Sequence, residues 1–260
     1  GLGYLFIAQG WKSSIRKKLL LWGYRAILNS KKVWILFQNP DDQALFTKHK
    51  IIYPEHAFKI KGSGVDLQQF AYSPIPKDRV KVILVARMLW DKGVGEFVES
   101  ATVLTQQGID ADFLLVGSVD SGNPESISAK QLEQWNKSGV VKWLGERADI
   151  AQLLAESHIA VLPSYREGLP KSLIEAAAVG RAIVTTDVPG CREVVKDGEN
   201  GFLVPAKDAK KLAVAIQKLI NNPKLLTSMG KKSRLMAEQE FSIQQIVEQT
   251  LKLYKTLKEL

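Results

Sequence analysis

From residue 79 onward, short apolar runs alternate with stretches of helical spacing. The run VKVILVA at 80–86 is rich in β-branched residues and follows the turn signal SPIPKD, which predicts a strand. Residues 93–107 place Val94, Phe97, Val98, Ala101 and Leu104 at helical intervals. Further strands are predicted at 111–116, 140–144, 159–162, 182–185 and 201–204. Helices are predicted at 149–156, with Asp149 as N-cap, and at 169–179, with Pro170 in the first turn and Gly180 at the end. Three more follow at 208–220, 223–240 and 242–258. Strands that are apolar throughout, separated by helices, imply a parallel sheet covered on both faces. Residues 79–240 therefore read as one complete doubly wound α/β domain. Its ligand is expected beyond the carboxyl ends of the strands.

Residues 1–60 carry less: a strand at 33–38 and a helix at 40–48, with Asp41 and Asp42 in its first turn. That is too little for an independent core. The Gly/Pro/Ser-rich stretch 61–78 reads as a linker. Of the 260 residues, 45% are hydrophobic and 24% charged, which excludes a disordered or collagen-like chain. The single cysteine, Cys191, excludes an intrachain disulfide and suits a reducing compartment. No apolar stretch approaches the roughly 20 residues of a membrane-spanning helix. The chain starts at Gly1 with no basic segment before an apolar one, so no signal peptide is legible and a start within a longer gene product is expected.

Charge changes this picture at one end. Residues 1–60 hold ten Lys/Arg against three Asp/Glu, which is +7 of the chain's net +9. The stretch WKSSIRKKLLLWGYRAILNSKK mixes Trp11, Leu19, Leu20, Trp22 and Ile27 with Lys12, Arg16, Lys17, Lys18 and Arg25. Two readings stay open: a core helix with a solvated basic face, the commoner case, or a helix lying on an anionic bilayer. No recognition motif accompanies the charge, so nucleic acid is not expected as a partner.

Polar groups collect after the predicted strands. Arg87 follows 80–86, and Lys92-Gly93 opens the next helix; Gly117 follows 111–116; PSYREGLPKSLIEAAAVG follows 159–162. Glu167-Gly168-Leu169-Pro170 opens a helix whose first N–H groups form an anion site. Glu175 comes eight residues after Glu167. Two carboxylates and two cations, Arg87 and Lys92, around such a helix end suit a sugar nucleotide, the cations on the diphosphate and the carboxylates on hydroxyls. Taken singly, Arg87 and Lys92 also fit surface charges, and Glu175 a solvated or ion-paired helix residue.

Other signals carry less. Asp110-Ala111-Asp112 matches D-x-D but falls at the amino end of a strand. His49, His56 and His158 lack metal-ligand spacing, and His158 is expected to be structural. Cys191 is expected to be a buried or incidental thiol. Neither a G-x-x-x-x-G-K-[ST] loop nor G-x-G-x-x-G is present.

SYREGLPKSLIEAAAVGRAIVTTDVPGCREVVKDGENGFLVP resembles the signature of family 4 glycosyltransferases of the GT-B fold, with Glu167 and Glu175 as its E-x7-E pair. ILVARMLWDKGV resembles the family's Arg/Lys element through Arg87 and Lys92. FQNPDDQALF and GSGVDLQQF are similar to bacterial members that build surface polysaccharide or undecaprenyl-linked oligosaccharide. The resemblance runs over about 33–255. It implies a donor-binding domain at 79–241, an interdomain linker at 61–78, the remainder of an acceptor-binding domain at 1–60, and a terminal crossover helix at 242–260. It also implies transfer of a hexose-type sugar with retention of configuration. The donor would be a nucleoside-diphosphate sugar and the acceptor a saccharide or undecaprenyl-linked saccharide, with no cofactor and no metal required.

In that picture Arg87 and Lys92 stabilise charge on the departing diphosphate. Glu167, with the N–H groups of Gly168 and Leu169, positions sugar and phosphate. Glu175 binds ribose hydroxyls, and the GERAD loop brings Arg147 beside the base. Arg181, where the family often has Pro, is expected to be without consequence. The expected place of action is cytoplasmic, with peripheral contact at the inner membrane face. The competing readings are a non-catalytic module that binds sugar nucleotide or a membrane surface, and a related GT-B epimerase or phosphorylase. The E-x7-E and Lys-Gly pairing speaks against an epimerase, and the lack of a pyridoxal-lysine context against a phosphorylase.

Overall fold

The computed structural model describes residues 11–258. Residues 1–10 of the expected first unit, the side chains of Trp11 and Lys12 in its basic stretch, and residues 259–260 of the expected terminal helix lie outside what is described. Helix α1 (Trp11–Leu28) leads into strand β1 (Ile35–Phe37), helix α2 (Pro40–Lys48) and strand β2 (Ala57–Lys59). β1 and β2 pair in parallel, Ile35 opposite Ala57, so this unit is a small βαβ layer. Its core is Leu21, Phe37, Phe46, Ile51 and Ile52. Leu21 of α1 turns inward, while Ile15, Leu19, Trp22 and Ile27 are exposed. The helix is thus neither a pure core helix nor a free surface one: one face packs, and apolar groups stand out on another.

The larger unit holds β3 (Val80–Val85), α3 (Val94–Gln106), β4 (Ala111–Val116), α4 (Ala129–Lys137) and β5 (Lys142–Trp143). It continues with α5 (Ile150–Ala155), β6 (Ile159–Leu162), α6 (Lys171–Val179), β7 (Ala182–Thr186), α7 (Cys191–Val194) and β8 (Gly201–Val204). It ends with α8 (Ala209–Ile220) and α9 (Pro223–Met236). Six parallel strands run in the order β5-β4-β3-β6-β7-β8. Alternation explains why these strands are apolar throughout. Val82, Leu84, Phe113, Leu115, Ile159 and Val161 enter one core, with Phe97 and Leu104 of α3 and Leu212 and Ile216 of α8. Ile83, Leu114, Ala160, Leu162 and Ile183 enter the other, with Leu173, Ile174 and Ala177 of α6. Period 2 sends neighbours to opposite faces, and both faces are covered. This is the doubly wound α/β sheet that the spacing implies.

Three local readings are corrected. Asp149 stands at the N-cap of α5, but its carboxylate is held by Arg147 at 2.6 and 2.8 Å and caps nothing. Pro170 is the N-cap of α6 rather than part of its first turn. Arg181 is far from inconsequential. It is fully buried and donates to the carbonyls of Ser157 at 2.7 Å, Val179 at 3.1 Å and Ser73. It thereby joins the end of α6 to the linker, and burial among carbonyls with no carboxylate pushes it down to about 10. α9 runs through a π turn, Ala237–Phe241, into α10 (Ile243–Lys258). There Val65 bridges Ser242, donating to Phe241 O at 2.8 Å and accepting from Ile243 N at 3.0 Å.

His158, at the start of β6, is buried and accepts from Lys81 N through Nδ1 at 3.1 Å. Burial pushes its pKa below its ordinary 6.5, and the charge of Asp78 only partly opposes this. The unfolded chain binds this proton more readily, so stability is complete above about pH 6.5 and is lost as pH falls below it. His158→Asn, which keeps an acceptor, is expected to flatten that slope. Urea unfolding between pH 5 and 7.5 is the check, and an unchanged slope would count against the assignment.

Candidate functional site

The strand order reverses between β3 and β6: the chain winds outward through β4 and β5, then returns to the other side of β3. Ligands of such sheets bind outside the strand ends at this switch point. A cavity of about 540 Å³ opens there, between the larger sheet and the small βαβ layer. Arg87 and Lys92, which follow β3, line it together with Glu167 and Gly168, which follow β6. Gly117, Arg147, Leu169 and Glu175 are not among its lining residues.

Each motif residue has a definite place. Lys92 Nζ meets Glu167 Oε1 at 2.6 Å, with both side chains mostly buried. Arg87 Nη1 meets Asp120 Oδ2 at 2.6 Å. Gly117 donates to Gly145 O at 2.8 Å and accepts from Trp143 Nε1 at 3.0 Å, tying the ends of β4 and β5. Arg147 sits at the surface on Asp149. Leu169 spends its side chain on packing below α6, so any ligand role falls to its backbone. Glu175 sits one turn into α6, where burial pushes its carboxyl up and Lys171, at 3.6 Å, partly offsets this.

The loop between β6 and α6 is held from several sides. Tyr165 N and Ser164 Oγ both donate to Asp91 O, at 2.9 and 3.1 Å. The Tyr165 hydroxyl donates to Glu96, and burial with that carboxylate raises its pKa. Glu167 N donates to Pro189 O at 3.2 Å. Among the described residues, the N–H groups of Gly168 and Leu169 enter no backbone hydrogen bond. They stand before the N-terminus of α6, where an anion finds unpaired donors and the positive end of the helix dipole.

Sequence reasoning missed part of the wall. Asp91, Asn123 and Glu125 line the cavity, and Asp91 Oδ1 is buried without a partner. The segment carrying Asn123 and Glu125 has no apolar rhythm. It reaches the site because Leu89 bridges Ser126 and Trp90 N donates to Glu125 O at 2.9 Å. From the small layer come Gln38 and Asp42, the latter paired with Arg166. The D-x-D acids lie at the other end of the sheet, where Arg79 holds Asp110 and Lys142 holds Asp112. Cys191 is fully buried and its thiol is pushed up to about 12, as expected of a packing residue.

A family model described as "Glycosyl transferases group 1" matches residues 66–236. The chain belongs to this family. It is 34% identical over 98% of its length to the N,N'-diacetylbacillosaminyl-diphospho-undecaprenol alpha-1,3-N-acetylgalactosaminyltransferase of Campylobacter jejuni, of which it covers 68%. It is 30% identical over 80% of its length to the capsular polysaccharide biosynthesis glycosyltransferase CapM of Staphylococcus aureus, and spans 59% of that relative. The fold matches sucrose-phosphate synthase of Thermosynechococcus elongatus, with TM-score 0.83, 24% identity, and coverage of 100% of this chain and 66% of that one. It also matches Anabaena Alr3699/HepE in complex with UDP, with TM-score 0.80, 22% identity, and coverage of 92% and 68%. This is the GT-B architecture that the sequence resembles.

Gly190 backs the family's E-x7-E loop. Its φ is +81°, and a Cβ there would stand 2.6 Å from Glu167 O and 2.7 Å from Gly168 O. Gly190→Ala is expected to cost about 2–4 kcal/mol in urea unfolding, combining left-handed strain with the clash. It should also shift the amide resonances of residues 167–169. Gly108→Ala, with φ +78° and open space, is the control and should cost only the strain. Equal losses would show that the contact is unimportant.

Proposed function

We propose that the chain binds a nucleoside-diphosphate sugar in this cleft and serves a retaining transfer of a hexose-type sugar to a hydroxyl of a saccharide or lipid-linked saccharide. The observation that carries the reading is the meeting of Arg87, the Lys92–Glu167 pair and the unpaired N–H groups before α6 at the switch point. The UDP named with the Anabaena structure and the undecaprenol-linked acceptor in the Campylobacter relative's name support the same classes of donor and acceptor. In this reading 79–241 is the donor domain, 61–78 the linker, 1–60 part of an acceptor domain and 242–260 the crossover helix.

The reaction breaks the bond between sugar C1 and the diphosphate oxygen, and the electron pair leaves with the diphosphate. Arg87, Lys92 and the N–H groups of Gly168 and Leu169 offset the charge that grows there. The acceptor oxygen bonds to C1 from the face the diphosphate leaves, and its proton passes to the departing phosphate. Glu167 orients the sugar, Glu175 the ribose and Arg147 the base. No metal ion is called on.

Peripheral contact with an anionic membrane belongs to the same proposal. It rests on exposed Ile15, Leu19 and Trp22, one or two helical turns apart, beside exposed Arg16, Lys18 and Arg25. Among the described residues, no helix is long and apolar enough to cross a membrane.

Ligand-observed NMR with UDP, GDP and ADP tests the donor site. Saturable binding of one of them is expected. Arg87→Ala/Lys92→Ala should weaken it at least tenfold, since each charge-assisted hydrogen bond contributes about 1.5–3 kcal/mol, and Glu175→Ala should weaken it less. Absence of binding to a folded chain, or undiminished binding by the double variant, would defeat the reading.

A further inference from the structure

We propose that Asn39, across the cleft from the strand ends, is a positioning residue that fixes the Gly168–Leu169 peptide toward the second phosphate of the donor, the one absent from a nucleoside monophosphate. The inference rests on the reading of the cleft as a nucleotide-sugar site.

Asn39 is fully buried and caps α2. Its side chain is used on every side. Oδ1 accepts from Asp42 N at 2.8 Å, while Nδ2 donates to Asp42 Oδ2 at 3.0 Å and to Gly168 O at 2.8 Å. Capping alone is met equally well by Ser or Asp. Asp only accepts, and a Ser hydroxyl can do both but is too short to reach Gly168 while capping; Asn accepts through one atom and donates through another. The peptide unit is planar and trans, so the Gly168 carbonyl and the Leu169 N–H point in opposite directions. Holding the carbonyl on Asn39 therefore fixes the direction of that N–H, one of the two left without a backbone acceptor.

Neighbouring contacts fit the same role. Gly168 lies so close to Gln38 that a Cβ would stand 2.8 Å from its Oε1. Asp42 pairs with Arg166, and Asp41 with Arg192 at 3.3 Å. The first turn of α2 thus grips both the residue before Glu167 and the residue after it. The chain uses one layer of the fold to aim a donor that belongs to the other.

The test compares Asn39→Asp and Asn39→Ser with the wild-type chain. Both keep the cap; the first puts only acceptors opposite the Gly168 carbonyl, and the second is too short to reach it. Affinities are measured for the nucleoside diphosphate the wild type selects and for the matching monophosphate. Asn39→Asp is expected to weaken diphosphate binding about tenfold, as loss of one charge-assisted hydrogen bond would, with the monophosphate affinity unchanged. In the wild type, the Leu169 amide proton should move downfield with the diphosphate and stay with the monophosphate, a result that needs no variant to fold. Equal weakening for both nucleotides, unweakened diphosphate binding, or a Leu169 amide that ignores the diphosphate would each overturn the inference while the donor-site reading stands. A wild-type chain that binds no nucleotide overturns both.

Discussion

Lys92 and Glu167 stand 75 residues apart in the chain and 2.6 Å apart in the fold. Their contact forms only when β6 returns beside β3 in a right register, Val82 opposite Ile159. Each charge is largely withdrawn from water, so each needs the other: removing either would leave an uncompensated buried ion. The sheet topology therefore dictates the chemistry at its edge. A strand order without this reversal would set the two residues on separate crevices. The pair also holds the lysine side chain in one place at the mouth of the cavity.

The three cations that line the cavity are each paired with a carboxylate, Lys92 with Glu167 and Arg166 with Asp42 of the same wall, and Arg87 with Asp120 outside it. The Lys92–Glu167 and Arg166–Asp42 pairs are mostly buried, so packing as well as charge keeps these side chains in place.

Much of this was legible in the sequence because two-sided burial writes itself as unbroken apolar runs. β4, β6 and β8 carry the predicted bounds, and α2 does as well. α4 went unread because AKQLEQWNK buries only Leu132 fully, too sparse a signal for periodicity. β5 shrank to Lys142–Trp143 because it is an edge strand with one neighbour. The motif residues around β3 and β6 were legible through their order along the chain. Asn123 and Glu125 were not, since they enter the cleft through contacts between segments distant in sequence, and Asn39 was not, since its partner Gly168 lies 129 residues away. Arg181 was misjudged for the same reason: nothing local tells that three segments will close over it.

The strap between Val65 and the 241–243 junction has a mechanical meaning. There the linker and the start of α10 lie side by side, hydrogen-bonded to each other. Reciprocal backbone bonds fix the register of the two segments, as a splice fixes two ropes, so a pull on the linker is felt at once by the start of α10. Gly62, three residues before Val65, lies against Leu169, so the same knot also steadies the approach to α6.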